Sequence, residues 1–213
     1  MSEPLVIVGC GGHGREIYGV VQAINQASGD PWKVLGFVDD SPSEVNLGRL
    51  ERLGAPFLGD VGQLAGMNDD VRYVIGIGDP RVRAKVAAKI GPSRRAVAPL
   101  IHPDATVGLG NDFAEGVVLF AGARVTTNVT LGRHVHLNQN ATVGHDSALS
   151  DFVQVNPLAA VSGDCRLGER VLIGTTAAVL QGLSVGAGAT VGAGACVVRP
   201  VPSDTIVKGV PAR

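Results

Sequence analysis

Large aromatic side chains are scarce in this chain of 213 residues, which carries one Trp, two Tyr and five Phe. A core built on rings is therefore excluded, and small aliphatic side chains must fill the interior. Hydrophobic residues still make up 45% and charged residues only 17%, a balance that excludes disorder. Because the net charge is −1, the chain lacks the excess positive charge that binds nucleic acid or an anionic membrane.

Long apolar runs and paired cysteines are lacking as well. No apolar stretch approaches the roughly 18 residues that span a bilayer, and the first residues lack the basic segment of a secretion signal. The three cysteines, Cys10, Cys165 and Cys196, are odd in number and form no CxxC pair. We therefore expect a reduced protein of the cytoplasm without a membrane partner.

Composition changes near residue 98. Residues 1–98 hold 22 of the 37 charged residues, while residues 99–213 are rich in Val, Ala and Gly. Patterns in the first half predict strands at 5–8, 34–38 and 71–77 and helices at 15–27 and 81–89. Strands that alternate with helices indicate a mainly parallel sheet. We predict a Rossmann-like α/β domain over residues 1–98 and a different domain over residues 99–213.

The second half repeats with a period of six residues. Every sixth position from Ile101 to Val197 is apolar, and only Phe113 among these 17 positions is not Val, Ile or Leu. The next position is often glycine, which we expect to supply the backbone freedom of a corner. A period of six fits neither a helix nor a long strand. It fits a parallel β-helix of very short strands, with one aliphatic side chain per hexapeptide pointing inward.

A glycine-rich loop follows the first predicted strand. Gly9, Gly11 and Gly14 spell GxGxxG before a helix, a loop that exposes backbone N–H groups to a phosphate. With Asp39 about 25 residues further on, this loop alone favours an NAD enzyme. The six-residue repeat favours a nucleotide sugar, with the pyrophosphate at the loop and Asp39 or Asp40 at the base or ribose.

Ordered motifs run through the whole chain: Gly9–Gly14, Phe37–Asp40, Ile75–Asp79 with Arg83, Leu137–Asn138, Val143–Asp146 and Lys208–Arg213. Together with the hexapeptides, they resemble the bacterial sugar acyltransferases of the sialic acid O-acetyltransferase and PglD type. This resemblance implies a left-handed β-helix and an acetyl-CoA-dependent transferase of glycan biosynthesis. It further implies a homotrimer whose active sites lie between neighbouring prisms, with a nucleotide-linked sugar held by the first domain.

The glycine-rich loop, the small residues along the prism and the basic residues near its end, taken together with the resemblance, predict which residues bind the two substrates. For the sugar nucleotide these are Gly11, Gly12, His13, Gly14, Asp39, Asp40 and Gly78. For acetyl-CoA they are Asn138, Gln154, Gly163, Gly182, Lys208 and Arg213, with Arg199 as a further phosphate partner. Alternatively, His13 lies at the start of a helix and has no ligand role. Each of the basic residues is alternatively a solvated surface side chain.

Acetyl transfer needs a base, stabilisation of the developing oxyanion and two aligned substrates. Of the five histidines, only His145 precedes a carboxylate, Asp146. In the resembling family this pair is the general base and its partner; a surface histidine is the alternative. Gly163 lies 18 residues on, one coil away, and is similar to a family glycine whose N–H faces the thioester carbonyl. The alternative is that Gly163 is an ordinary corner glycine with no catalytic role.

Gln154 departs from the family pattern, in which a second histidine is common at this position. Glutamine cannot shuttle protons, so His145 remains the sole base, and the favoured reaction is direct attack by the sugar amine on acetyl-CoA. O-acetylation of a sugar hydroxyl is the alternative, and a non-catalytic sugar-nucleotide-binding trimer is a third.

A γ-type carbonic anhydrase would gather His134, His136 and His145 on zinc, but its ligand spacing is not matched and no metal is expected. The sugar and the nucleotide base stay open.

Overall fold

The computed structural model describes residues 2–92 and 94–213, and the chain begins as a small α/β unit. In chain order this unit contains β1 (Glu3–Val8), α1 (Gly12–Ser28), β2 (Trp32–Val38), α2 (Glu44–Arg52), β3 (Phe57–Gly59), a 3₁₀ helix (Val61–Gly66), β4 (Arg72–Ile75) and α3 (Pro80–Ile90). Its strands are parallel in the order β3-β2-β1-β4, which confirms the predicted α/β fold. The helix α2, the strand β3 and the 3₁₀ helix are additions to the predicted elements.

The rest of the chain forms very short strands, which make up three parallel sheets. One sheet contains β5 (Leu100–Ile101), β8 (Val118–Leu119), β11 (His136–Leu137), β14 (Gln154–Val155), β17 (Leu172–Ile173), β20 (Thr190–Val191) and β22 (Ile206–Val207). The second contains β6 (Thr106–Val107), β9 (Arg124–Val125), β12 (Thr142–Val143), β15 (Ala160–Val161), β18 (Ala178–Val179) and β21 (Cys196–Val197). The third contains β7 (Asp112–Phe113), β10 (Thr130–Leu131), β13 (Ala148–Leu149), β16 (Arg166–Leu167) and β19 (Ser184–Val185).

Neighbouring strands in these sheets are parallel and pair residues one coil apart. Val143 of β12 pairs with Val161 of β15, and Val161 pairs with Val179 of β18. Three hexapeptides therefore complete one coil of a three-sided prism. The predicted left-handed parallel β-helix is confirmed.

Left-handed backbone conformations occur three residues after an inward aliphatic side chain. Asp146 follows Val143 at this distance with a φ of 62°. Gly144, directly after the aliphatic, is instead needed for close stacking, because a Cβ there would lie 2.5 Å from the backbone N of Gly163. Our expectation that such glycines supply corner freedom is therefore wrong: they let one coil lie on the next.

The two parts share an apolar interior where they meet. Inward aliphatic side chains such as Leu137 and Ile173 fill the prism. A second cluster joins Ile17 of α1 to Val118 and Phe120 on the outside of the prism. The boundary predicted at residues 98 and 99 lies just before β5. Among the described residues, no helix has the length and apolar character of a membrane span.

Candidate active site

His145 and Asp146 form a hydrogen-bonded pair at one corner of the prism, in the turn between β12 and β13. The N–H of Asp146 donates to the carbonyl of Thr127 at 3.1 Å, which fixes the turn on the coil below. Nδ1 of His145 lies 2.7 Å from Oδ2 of Asp146, and both side chains are 49% exposed. A carboxylate that accepts the Nδ1 proton leaves Nε2 as the atom that can accept a proton from a substrate.

Asn128 holds the other oxygen of Asp146 and was missed by sequence reasoning. Its Nδ2 donates to Oδ1 of Asp146 at 2.7 Å. Hydrogen bonds from Asn128 and from His145 hold the pKa of Asp146 below its ordinary value. The carboxylate is therefore oriented from two sides and kept charged. The signal that could have found Asn128 is the coil length, because it lies 18 residues before Asp146.

Gly163 lies beside the imidazole of His145, one coil along the prism. A Cβ on Gly163 would lie 2.5 Å from Nε2 of His145, so only glycine leaves room for the ring in this position. The backbone N–H of Gly163 has no acceptor within residues 2–92 and 94–213. Gly182, one coil further on, donates its N–H to the carbonyl of Gly163 at 3.0 Å. The structure thus brings together His145, Asp146, Gly163 and Gly182.

The glycine-rich loop packs tightly on one side and is open on the other. A Cβ on Gly14 would clash with the carbonyl of Gly9, and one on Gly76 with the backbone of Gly14, so α1 lies close against β1 and β4. A Cβ on Gly11 would meet no atom within 4 Å, and one on Gly12 only a guanidinium nitrogen at 3.9 Å. In the described chain, α1 has neither a side-chain cap nor an acidic residue in its first turn. Its N-terminal N–H groups can therefore bind an anion.

Asp39 and Asp40 are both engaged with the protein itself. Oδ2 of Asp39 accepts hydrogen bonds from the backbone N of Cys10 at 2.9 Å and from its Sγ at 3.1 Å, while Oδ1 accepts from the N of Ser41. Burial and Asp39 together raise the pKa of the Cys10 thiol to about 12. Oδ2 of Asp40 lies 2.7 Å from Nζ of Lys89, which holds the pKa of this carboxyl below its usual range. Asp39 thus shapes the glycine-rich loop, and Asp40 anchors α3.

His13 points from the glycine-rich loop toward the outer face of the prism. Its Nε2 lies 2.9 Å from Nδ1 of His136, a fully buried residue of β11. Phe120 covers the His13 ring, with the two centroids 5.2 Å apart. A Cβ on Gly78 would lie 3.9 Å from the ring, so the predicted sugar-nucleotide residues of two loops meet here. Burial lowers the pKa of both histidines, which favours their neutral forms, with one ring donating to the other.

Gln154 lies on the prism face that the α/β unit covers, and Asn138 is buried after β11. Oε1 of Gln154 accepts a hydrogen bond of 2.9 Å from Nη1 of Arg83, and neither side chain is more than 1% exposed. Arg83 also donates to the carbonyls of Ile77 at 2.6 Å and Phe152 at 3.0 Å. Burial lowers the pKa of the Arg83 guanidinium. Gln154 thus joins the two parts of the chain, and its contact with acetyl-CoA, like that of buried Asn138, stays a prediction.

Lys208 and Arg213 lie together at the far end of the prism. Their backbone N–H and carbonyl groups bond to each other at 3.0 and 3.1 Å, and both side chains are exposed. Arg199 follows β21 at the position that His145 holds after β12, so it stands above the same corner. The three side chains form a basic end beyond His145.

The histidines considered as zinc ligands do not converge. His134 is 3% exposed and His136 is fully buried, whereas His145 lies at an open corner. Across residues 2–92 and 94–213, no three His, Cys, Asp or Glu side chains are arranged to hold one metal ion.

Comparison with known proteins gives related sequences and structures. Residues 4–90 match the family model of the PglD N-terminal domain. A UDP-N-acetylbacillosamine N-acetyltransferase from Bacillus subtilis (strain 168) is 32% identical over 117 residues. This alignment spans 55% of the chain and 51% of the relative, so the chain matches about half the length of that curated protein.

Solved structures match over the whole length. The acetyltransferase domain of PglB from Neisseria gonorrhoeae FA1090, in complex with acetyl coenzyme A, is 31% identical with a TM-score of 0.86, and the match covers 100% of this chain and 99% of that one. PerB from Caulobacter crescentus, in complex with CoA and GDP-perosamine, is 32% identical with a TM-score of 0.83, covering 99% and 96%. The chain therefore belongs to the PglD-type family of sugar N-acetyltransferases.

Proposed function

We propose that this protein transfers an acetyl group from acetyl-CoA to the amino group of a nucleotide-linked amino sugar. The observation that carries the proposal is the His145 and Asp146 pair, joined at 2.7 Å, with the Nε2 edge of the imidazole beside Gly163 at an open corner. Relatives support the choice of substrates, since PerB binds CoA and GDP-perosamine and the PglB domain binds acetyl-CoA.

In the proposed reaction, Nε2 of His145 accepts a proton from the sugar amine as the amine nitrogen attacks the thioester carbonyl carbon. Asp146 stabilises the imidazolium that forms, and the N–H of Gly163 donates to the carbonyl oxygen as negative charge develops there. The C–S bond then breaks, and the CoA thiolate takes the proton from His145. The products are an N-acetylated sugar and free CoA.

The two substrates would approach from different parts of the protein. We place the pyrophosphate of the sugar nucleotide at the open side of Gly11 and Gly12, where the N–H groups at the start of α1 attract an anion. The pantetheine arm would pass the small residues Gly163 and Gly182, and the CoA phosphates would meet the basic end formed by Arg199, Lys208 and Arg213.

A homotrimer is part of the proposal, because His145 lies at the corner between the second and third sheets, whereas the unit that carries the loop at Gly11 packs on the first sheet. A neighbouring prism would bring the two together in one site. Light scattering tests this: a mass of three chains is expected, and a monomer at working concentration would reject an intersubunit site.

We also propose that the protein acts in the cytoplasm. Its cysteines Cys10, Cys165 and Cys196, all free in the described chain, would stay reduced there.

Acetyl-CoA consumption measured against UDP-, GDP- and CMP-linked amino sugars tests the reaction. We expect turnover with at least one amino sugar and an N-acetylated product by mass spectrometry. The matched hydroxy sugar on the same nucleotide separates the two acceptor types. Acetylation of the hydroxy sugar alone would replace N-transfer by O-transfer, and consumption with neither would leave the proposed activity without support.

A further inference from the structure

A cavity of about 720 Å³ lies between α3 and a second corner of the prism. Its wall combines α3, the segment after α3, and successive turns before β8, β11, β14 and β17. The lining includes Tyr73, Ala84, Ala87, Ala88, Gly91, Pro92, Arg94, Arg95, Glu115, Arg133, His134, Phe152 and Arg170. None of these residues belongs to the glycine-rich loop or to the corner at His145, so the cavity is separate from the site proposed for acetyl transfer.

Positive charge dominates the lining. The lining contains four arginines and one acidic residue, Glu115. The guanidinium of Arg94 donates to the carbonyls of Ala65, Met67 and Asn68, which lie outside the lining. Two of the four are held by acids outside the lining: Nη2 of Arg133 lies 2.8 Å from Asp151, and Nη1 of Arg170 lies 3.0 Å from Glu169. These pairs use only part of each guanidinium, and guanidinium forks bind phosphate well. The wall is therefore suited to an anion.

Flat rings and small apolar side chains make up the rest of the wall. The rings of His134 and Phe152 are stacked, with centroids 5.3 Å apart and planes at 12°, and Tyr73 also stacks on His134, with centroids 6.0 Å apart. Burial lowers the pKa of His134 to about 4, so this ring is neutral at physiological pH. Nδ1 of His134 is buried without a hydrogen-bond partner within the described chain.

The opposite side of the cavity is formed by α3, where Ala84, Ala87 and Ala88 present methyl groups. A slot between alanines and stacked rings accepts a flat apolar group, while the arginines bind its charged substituent. The volume also falls within the roughly 300–1,000 Å³ typical of small-molecule sites.

We propose that this cavity binds a nucleoside phosphate, with the base between Phe152 and the alanines of α3 and the phosphate at Arg95, Arg133 and Arg170. The site is independent of the acetyl-transfer reaction, and its ligand is recognised by two features together, a phosphate and a flat ring. Inorganic pyrophosphate carries only the first feature and a nucleoside only the second.

Isothermal titration of the full chain with ADP, GDP, UDP and CDP tests the proposal, beside pyrophosphate and uridine. Two variants address the cavity by different means: Ala88→Trp fills it from the exposed face of α3, and Arg95→Gln with Arg170→Gln removes two guanidiniums. Arg124→Gln, an exposed arginine of β9 outside the cavity, is the matched control. Circular dichroism confirms that each variant is folded.

We expect at least one nucleotide to bind at least tenfold more tightly than pyrophosphate or uridine. Both cavity variants should lose that binding by about tenfold or more, while Arg124→Gln keeps it. Ala88→Trp does so by filling the slot, and the double arginine variant by deleting hydrogen bonds to a charged group. Nucleotide binding that is equal in the wild type and both cavity variants would overturn the proposal, as would pyrophosphate binding as tightly as every nucleotide. Because nucleotides also bind at the glycine-rich loop under the proposed function, the cavity is read only from the binding that both cavity variants lose, and this readout is separate from whether acetyl transfer is observed.

Discussion

Nε2 of His145 lies 2.5 Å from the point that a Cβ atom on Gly163 would occupy. The proposed base, His145, thus packs against the backbone of the next coil. Gly163 leaves room for its ring, and Gly163 is also the residue whose N–H we assign to the oxyanion. These two residues lie 18 positions apart in the chain, which is one turn of the prism.

Replacing Gly163 by alanine is expected to lower kcat by about 10²-fold, because the methyl group pushes the imidazole away from its position. Gly163 has no positive φ, so backbone strain does not add to the effect. Steady-state kinetics measure the change. The matched control is Gly192→Ala, where the nearest atoms are 3.4 Å away and an ordinary side chain fits. Equal kcat values for the two variants would contradict the contact.

Replacing Asn128 by glycine removes a hydrogen bond to Asp146 while keeping the left-handed backbone at its φ of 55°. Since that bond lowers the pKa of Asp146, the pKa should rise in the variant. The carboxylate then loses its charge at a higher pH as the solution is acidified, and kcat should fall by about tenfold. A ¹³C NMR titration of the carboxyl group and a pH profile of kcat check both effects. Asn140→Gly, at a φ of 58°, is the control, and an unchanged pKa in Asn128→Gly would reject the role of Asn128.

Replacing Arg83 by methionine should lower the free energy of unfolding by about 2–4 kcal/mol, because buried acceptors on both parts of the chain lose their donor. The guanidinium of Arg83 bonds to Ile77 and to Gln154 at 2.6 and 2.9 Å. Urea unfolding measures the loss. Arg81→Met is the control, since exposed Arg81 makes a single bond of 2.7 Å to Gly188 and should matter less. A larger loss for Arg81→Met would contradict the account.

Stability should fall as the pH drops from 6.5 to 4, in part through His134. Burial first, then the charges of Arg83 and Arg133, lower its pKa to about 4 from 6.5. Over this window the unfolded chain binds the proton and the folded chain does not, so stability is lost on acidification, by at most about 3 kcal/mol. His134→Asn, which tolerates the left-handed backbone, should lose less between these two pH values. Chemical unfolding at pH 6.5 and 4 tests this; identical losses in both proteins would refute it.

The repeat made the prism predictable, because one inward aliphatic side chain every six residues is a strictly local pattern. The role of Gly144 was not predictable in this way, since it depends on how closely two coils stack. Coil arithmetic places Asn128 beside Asp146, but only coordinates show that its amide reaches the carboxylate. The bond between Arg83 and Gln154 joins residues 71 positions apart, in two different folding units. No periodicity relates them, so the burial of Gln154 could not be read from the sequence.

His145→Asn tests the central claim most directly, with His102→Asn as the matched variant at another corner of the prism. Nδ1 of His102 accepts a hydrogen bond from the backbone N of Asp104, a role that asparagine can fill. The measurement is kcat for acetyl-CoA consumption with the best nucleotide amino sugar. Loss of a general base predicts a fall of about 10²–10⁴-fold for His145→Asn and little change for His102→Asn. A wild-type kcat in His145→Asn would contradict the account.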